Sequence, residues 1–255
     1  MADITSKLQG NVADEEMQNW RGDQVTVAQG GQSIFQSSSV QLAELGSRKV
    51  VGDRVFRYAK ALQDIAAGFV VEYGGETLDS IAVGSAVTQA SGLKTFYITA
   101  ATAISANTYA DGYLICQKGA TDGNLGMMYR IKSNAIGSSA GTCKLTLYDP
   151  IAYAVQLTST WSVHQNLYLN VISAILTKAA IGVAPIDVTT GDYFWLQTWG
   201  PAPALGAAAA GAQIAASVSG RCTLIGTAGE TPIGVAVSAL SAAAQYGVAF
   251  ITIAP

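Results

Sequence analysis

Charge is what this chain has least of. Only 12% of its 255 residues are Asp, Glu, Lys or Arg, about half the share of an ordinary soluble domain. The deficit is uneven: 14 of the 31 charged residues lie in the first 60 positions, whereas Tyr193 to Pro255 holds only Arg221 and Glu230. Surface so poor in charge suits a face covered by another chain, so a homo-oligomer is expected. Net charge is −3 and no run of Lys or Arg is longer than Arg48-Lys49. Direct nucleic-acid binding, which needs a basic patch to neutralise phosphates, is therefore not expected. Cysteine is scarce as well. Cys116, Cys143 and Cys222 are odd in number and lack metal-ligand spacing, which reads as buried, reduced thiols in a protein made in a cytoplasm.

Other absences remove whole classes. The start, Met1-Ala-Asp-Ile-Thr-Ser-Lys, has no apolar core of the signal-peptide kind. The uncharged run Thr231–Pro255 is long enough to span a membrane, but Pro232, Gly234, Gln245 and Gly247 interrupt it and most of its apolar residues are alanine, so no membrane helix is expected. No Gly-Lys-Ser/Thr follows a glycine-rich turn, which excludes a phosphate loop, and Asp122-Gly123-Asn124 is too short for a calcium loop. No cofactor or metal is expected. Gly137-Ser138-Ser139-Ala140-Gly141 fits the pattern of a nucleophile elbow, and Ser139, Asp149 and His164, the sole histidine, follow in hydrolase order. An elbow needs a helix after the serine. Here the alternating run Lys144–Tyr148 follows instead, and the three residues lie too close in sequence for that fold, so no enzyme is expected.

What is present is a 50% hydrophobic content, ample for a packed core. Residues 1–52 are polar and rich in Gln and Ser, without a sustained apolar period, and read as an extended N-terminal arm with a short strand at Gln24–Val27 and one helical turn at Val40–Leu45. From Arg54 to Lys60 strand alternation is favoured over an available helical spacing. Runs rich in β-formers follow at Phe69–Tyr73, Thr95–Thr99, Gly112–Gln117, Met127–Lys132 and Lys144–Tyr148, separated by Gly, Asn and Asp. Asn166–Leu176 suits either state. Ile181-Gly182-Val183-Ala184 recurs as Ile233-Gly234-Val235-Ala236, and each copy leads through a tyrosine, Tyr193 or Tyr246, into an apolar run. This reads as two strand-turn-strand units of a small barrel, with each glycine at a close approach. The expected class is all-β: an antiparallel sheet or sandwich over 53–178 and a small β-barrel-like region over 179–255, with minor helix.

Arg54-Val-Phe-Arg-Tyr-Ala, Tyr109-Ala-Asp-Gly-Tyr-Leu, Tyr129-Arg-Ile-Lys-Ser-Asn, Leu147-Tyr-Asp-Pro and Tyr193-Phe-Trp-Leu-Gln-Thr-Trp-Gly-Pro-Ala together resemble the head decoration, or cement, proteins of tailed bacteriophages, over about residues 52–255. The resemblance implies a non-enzymatic protein on the capsid exterior, commonly a trimer, whose partner is the major capsid protein and which clamps neighbouring shell subunits. Within the arm, Trp20 and Phe35 are candidate apolar anchors, since isolated aromatics in a polar segment suit interface hot spots. Arg21, Arg48 and Lys49 are candidate polar contacts. The other reading is a carbohydrate-binding or adhesin-like module of a phage tail or cell surface, with Trp195 and Trp199 stacking a sugar.

Overall fold

The computed structural model describes residues 31–75, 77–83, 89–118, 123–176, 178–226, 231–241 and 245–255, with 77–83 and 118 as backbone only. These residues form strands and no helix. In chain order they are β1 (Arg48–Val51), β2 (Arg54–Lys60), β3 (Val70–Tyr73), β4 (Thr77–Val83), β5 (Thr95–Thr99), β6 (Tyr113–Lys118), β7 (Met128–Asn134), β8 (Thr142–Leu147) and β9 (Thr160–His164). After them come β10 (Val171–Ser173), β11 (Ala180–Val183), β12 (Tyr193–Ala204), β13 (Gly206–Ala207), β14 (Gln213–Ala216), β15 (Cys222–Leu224), β16 (Gly234–Ala236) and β17 (Gly247–Thr252). The all-β class and its antiparallel pairing are as the alternation predicts. Val40–Leu45 is not a helical turn. The Leu42 amide donates to the Tyr58 hydroxyl (3.1 Å) and Ser38 Oγ donates to the Val40 carbonyl, so its polar groups bond outside any helical pattern.

The chain forms two compact units: the described residues up to Gly74 with Tyr168–Pro255, and Gly75–Leu167. The second is an insertion in the first, placed between β3 and β10, which pair with Tyr73 opposite Val171. The edges of these units differ from the boundaries at 52/53 and 178/179 that composition suggests. Composition follows surface charge, whereas a unit is defined by which strands pair.

In the inserted unit six strands close on themselves in the order β4-β5-β8-β7-β6-β9. Alternate residues point inward, and Phe96, Ile98, Leu114, Ile131, Leu145 and Trp161 fill the interior. The Trp161 ring meets Phe96 edge-on at 4.7 Å. In the outer unit the strand ladders make two circuits sharing β12. The first runs β2-β12-β11-β3-β10 and returns through a parallel bridge, Ala61 to Val171. The second runs β12-β17-β16-β14-β15-β13, and β13, which begins after Leu205, pairs with β15 in parallel. The closed barrel therefore lies in the inserted unit, whereas the region 179–255, where the repeat suggested one, forms ladders of a larger open sheet, with the first copy (β11) in one circuit and the second (β16) in the other. The two Ile-Gly-Val-Ala copies hold matching places: β11 and β16 each form a hairpin with the next long strand, β12 and β17. A Cβ on Gly182 would lie 2.7 Å from the Gln197 carbonyl oxygen, and one on Gly234 would collide with the Phe250 carbonyl.

The repeat is wider than those two copies. Four times, a strand, a bridged turn and a second strand lie against a hairpin whose own loop carries the bridging partner. The first strands are β2, β5, β8 and β12, the second strands β3, β6, β9 and β14, and the hairpins β11–β12, β7–β8, β4–β5 and β16–β17. The bridges are Ile65 to Val188, Ile104 to Gly137, Val155 to Gln89 and Ala208 to Leu240. In every copy the second strand opens after a turn closed by one backbone hydrogen bond: Phe69 to Ala66, Gly112 to Tyr109, Ser159 to Gln156 and Ala212 to Ala209. Three of these turns need a left-handed residue at the third position, filled by Gly68, Asp111 and Gly211.

β12 is the longest strand among the described residues, and it belongs to both circuits. Phe194 and Leu196 pack with Ile65, Val71 and Val188, while Trp195, pointing the other way, packs with Ile34, Phe56 and Tyr58. Ile34, Ala43 and Leu45 are buried. The described part of the expected arm, 31–52, therefore contributes to the core instead of lying free of it.

Candidate functional site: a basic hairpin on an aromatic floor

The β1–β2 hairpin turns through Gly52-Asp53. Val51 faces Arg54 across this two-residue loop, and Gly52 takes φ +62°, the left-handed conformation such tight turns require. The Tyr58 amide donates to the Ser47 carbonyl (3.1 Å), so Ser47/Tyr58 is a hydrogen-bonded pair. Alternation then makes Lys49/Phe56 and Val51/Arg54 bonded pairs as well. The backbone groups of Arg48 and Val50 consequently point away from β2, and β1 has no neighbour on that side among the described residues.

One face of this hairpin rests on aromatics. Lys49 Nζ donates to the Gln32 carbonyl (3.0 Å) and lies 5.1 Å from the centre of the Trp195 ring. Lys60 Nζ lies 5.2 Å from the Tyr193 ring and the Arg54 guanidinium 5.5 Å from Phe56. Cations over ring faces gain from the quadrupole while keeping contact with water. Beneath them the Trp195 indole donates to the Gln32 carbonyl (3.1 Å), and the Tyr58 hydroxyl donates to Gln32 Oε1 (2.7 Å). The Gln32 amide donates in turn to the Gln36 and Tyr193 carbonyls. Gln32 thus fastens the segment before β1 to β12. Burial pushes the Tyr58 hydroxyl pKa up, and the Leu42 amide opposes part of that rise.

On the other face, Arg48 stands directly opposite Arg57. This is the closer, non-hydrogen-bonded kind of pair, with Cα atoms about 4.5 Å apart. Arg57 Nη1 donates to the Gly46 carbonyl (3.2 Å), but its Nε is buried without an acceptor among the described residues. Like charges in this position repel. Five of the chain's 14 basic residues fall between Arg48 and Lys60, against Asp53 alone as an acid.

Of the candidates read from sequence, Arg48 and Lys49 sit on this hairpin. Phe35 lies on the segment anchored by Gln32 and is 62% exposed. Trp20 and Arg21 lie outside the described residues, as does Gln24–Val27. Arg57, Lys60 and Gln32 were not singled out. The alternation of Arg54–Lys60 carried a signal for the first two, whereas nothing local marks Gln32, whose partners lie as far as 163 positions away.

Trp195 is buried and offers no face to a sugar, while Trp199 is partly covered and meets Phe250 edge-on at 5.8 Å. Ser139 Oγ donates to the Ala101 carbonyl, and His164 Nε2 pairs with Ser162 Oγ at 3.0 Å. Neither bond joins Ser139 to His164 as a triad would require. Among the described residues no group of three or more His, Cys, Asp or Glu is placed to hold a metal ion, and no helix is long and apolar enough to cross a membrane. The three cysteines are buried and none is in a disulfide. In the outer unit a crevice of about 610 Å3 is lined by Glu72, Lys178, Thr231 and Pro232 among others. Its buried carboxylate accepts from the Leu176 amide (3.0 Å), and Lys178 Nζ lies 4.8 Å from the Tyr73 ring. Comparison of the chain with known protein families, characterised proteins and solved structures finds no match.

Proposed function

We propose that this is a non-enzymatic structural protein that binds the outside of a phage capsid and clamps neighbouring major capsid subunits, acting as a homo-oligomer, most simply a trimer. The observation that carries this reading is the surface of the C-terminal strands. Val218, Leu224, Val237 and Tyr246 are each more than half exposed, in a 63-residue stretch with two charges. Apolar side chains left on a folded surface in such number suit burial against another protein. Phe35 and the basic hairpin add a second face with anchors and charge. Contacts of this kind on several subunits act multivalently, so modest individual affinities give long residence. The test is whether the protein co-purifies with an icosahedral particle and where its density lies. Density on the outer shell at sites shared by neighbouring subunits is expected, and a protein that stays with the soluble fraction while particles form normally overturns the reading.

A further inference from the structure

We infer that the outer edge of β1 is a docking site for an acidic, extended segment of another protein, which adds to the sheet as a further strand. The inference names the partner chemistry of the hairpin face, and it rests on the proposed function only in taking the partner to be a protein.

Three observations converge. The backbone groups of Arg48 and Val50 face away from β2, leaving alternating donors and acceptors at strand spacing, the template that strand addition uses. Arg48 and Arg57 stand opposite each other with no carboxylate bonded to either among the described residues, and Arg57 Nε is buried without an acceptor. A carboxylate arriving beside Arg48 would relieve the repulsion and supply charge-assisted hydrogen bonds. The basic cluster sits on a chain of net charge −3, so the attraction is local to this hairpin.

Other occupants fit less well. A second copy pairing β1 against β1 would bring Arg48 and Lys49 up to their own equivalents, like charge against like. Nucleic acid would satisfy the cations, but its phosphates offer no donors to the outward carbonyls of Arg48 and Val50.

The test uses the full chain. It is titrated with a short fluorescent peptide alternating glutamate and valine, with the same peptide N-methylated at alternate amides, and with a single-stranded oligothymidylate. The plain peptide should bind, and N-methylation should weaken it at least about tenfold, because it removes ladder hydrogen bonds while leaving every charge. Val50→Pro should abolish binding with the fold retained, since proline is tolerated on an edge strand where its missing amide faces solvent. Arg48→Glu should weaken binding about tenfold or more, and Arg48→Lys should weaken it far less. Equal binding of the two peptides would reduce the site to charge alone and overturn strand addition. Tighter binding of the oligothymidylate would also overturn it, as would no binding at all. Peptide binding that appears only after Asp14→Asn, Glu15→Gln and Glu16→Gln would assign the edge to the chain's own acidic stretch and overturn a foreign occupant. Peptide binding by a protein that never joins particles would withdraw the capsid reading and leave this one standing.

Discussion

Ile65 and Val188 exchange two backbone hydrogen bonds, 2.9 and 2.8 Å long, between two loops rather than between two strands. Ile104 with Gly137 and Ala208 with Leu240 make the same double exchange. The bridge fastens the turn entering one strand to the turn of the hairpin beside it, so each copy of the module is braced at the end where its loops would otherwise fray.

The repeated glycines are expected to be intolerant of even a methyl group. Gly234→Ala drives a Cβ against the Phe250 carbonyl, and Gly182→Ala meets Leu196 Cγ at 2.5 Å. Each should lower unfolding free energy by about 1–3 kcal/mol, with Gly234→Ala the worse because all three of its nearest neighbours are backbone atoms, whereas at Gly182 the tightest contact is a leucine side chain that can turn away. Urea denaturation of the two variants checks the order.

Tyr58→Phe removes the donor to Gln32 Oε1 and the acceptor for the Leu42 amide. It should cost about 1–3 kcal/mol for buried groups left unpaired. Amide exchange should rise across residues 32–42 and stay unchanged in the inserted unit.

Stability should fall in alkali through the buried thiols. Burial pushes the Cys222 thiol from 9.0 up to about 12 and raises Cys143 as well. A raised folded pKa means the native state holds its proton longer, so this contribution is fully present below pH 9 and is lost as pH climbs toward 12. Tyr58, raised from 10.0, adds the same sign above pH 10. Melting curves between pH 8 and 11 should slope downward, and Cys222→Ala should flatten the slope while lowering the plateau.

Phe35→Ala should leave the free protein's stability within about 0.5 kcal/mol, as for an exposed side chain, yet reduce occupancy on particles. A marked fall in melting temperature would place Phe35 in the core and remove it from the proposed clamp.

The inserted unit should be separable. Its ends are neighbours, since a Cβ on Gly74 would meet the Asn170 carbonyl, and the equivalent connection in the second circuit, between β14 and β15, is the short turn Ser217–Arg221, closed by the Ser217 amide on the Arg221 carbonyl (2.8 Å). Replacing Gly75–Leu167 with that turn should leave a folded outer unit. A cooperative melt and retained near-ultraviolet dichroism would bear this out.

Strand identity was written locally. Thr95–Thr99 and Arg54–Lys60 alternate within a few residues, and side-chain period is a property of neighbours in sequence. The repeated tetrapeptide likewise announced two equivalent hairpins, because a glycine between β-branched residues marks a place where another backbone comes close. The other copies of the module were invisible, since a backbone bridge such as Val155 to Gln89 constrains no side chain and leaves no residue pattern. Within the described part of 1–52, Ile34, Ala43 and Leu45 are too sparse to form a period, and only the Trp195 face to which Gln32 ties that segment makes them core. The sequence by itself determined an all-β, charge-poor chain with a repeated Ile-Gly-Val-Ala unit. Only the tertiary structure decided that Gly75–Leu167 is an insertion, that Trp195 is buried and not displayed, and that Arg48 faces Arg57 on a strand edge with no neighbour among the described residues. Strand order and register depend on contacts between residues distant in sequence, and those are chosen by which whole set of faces can be buried together.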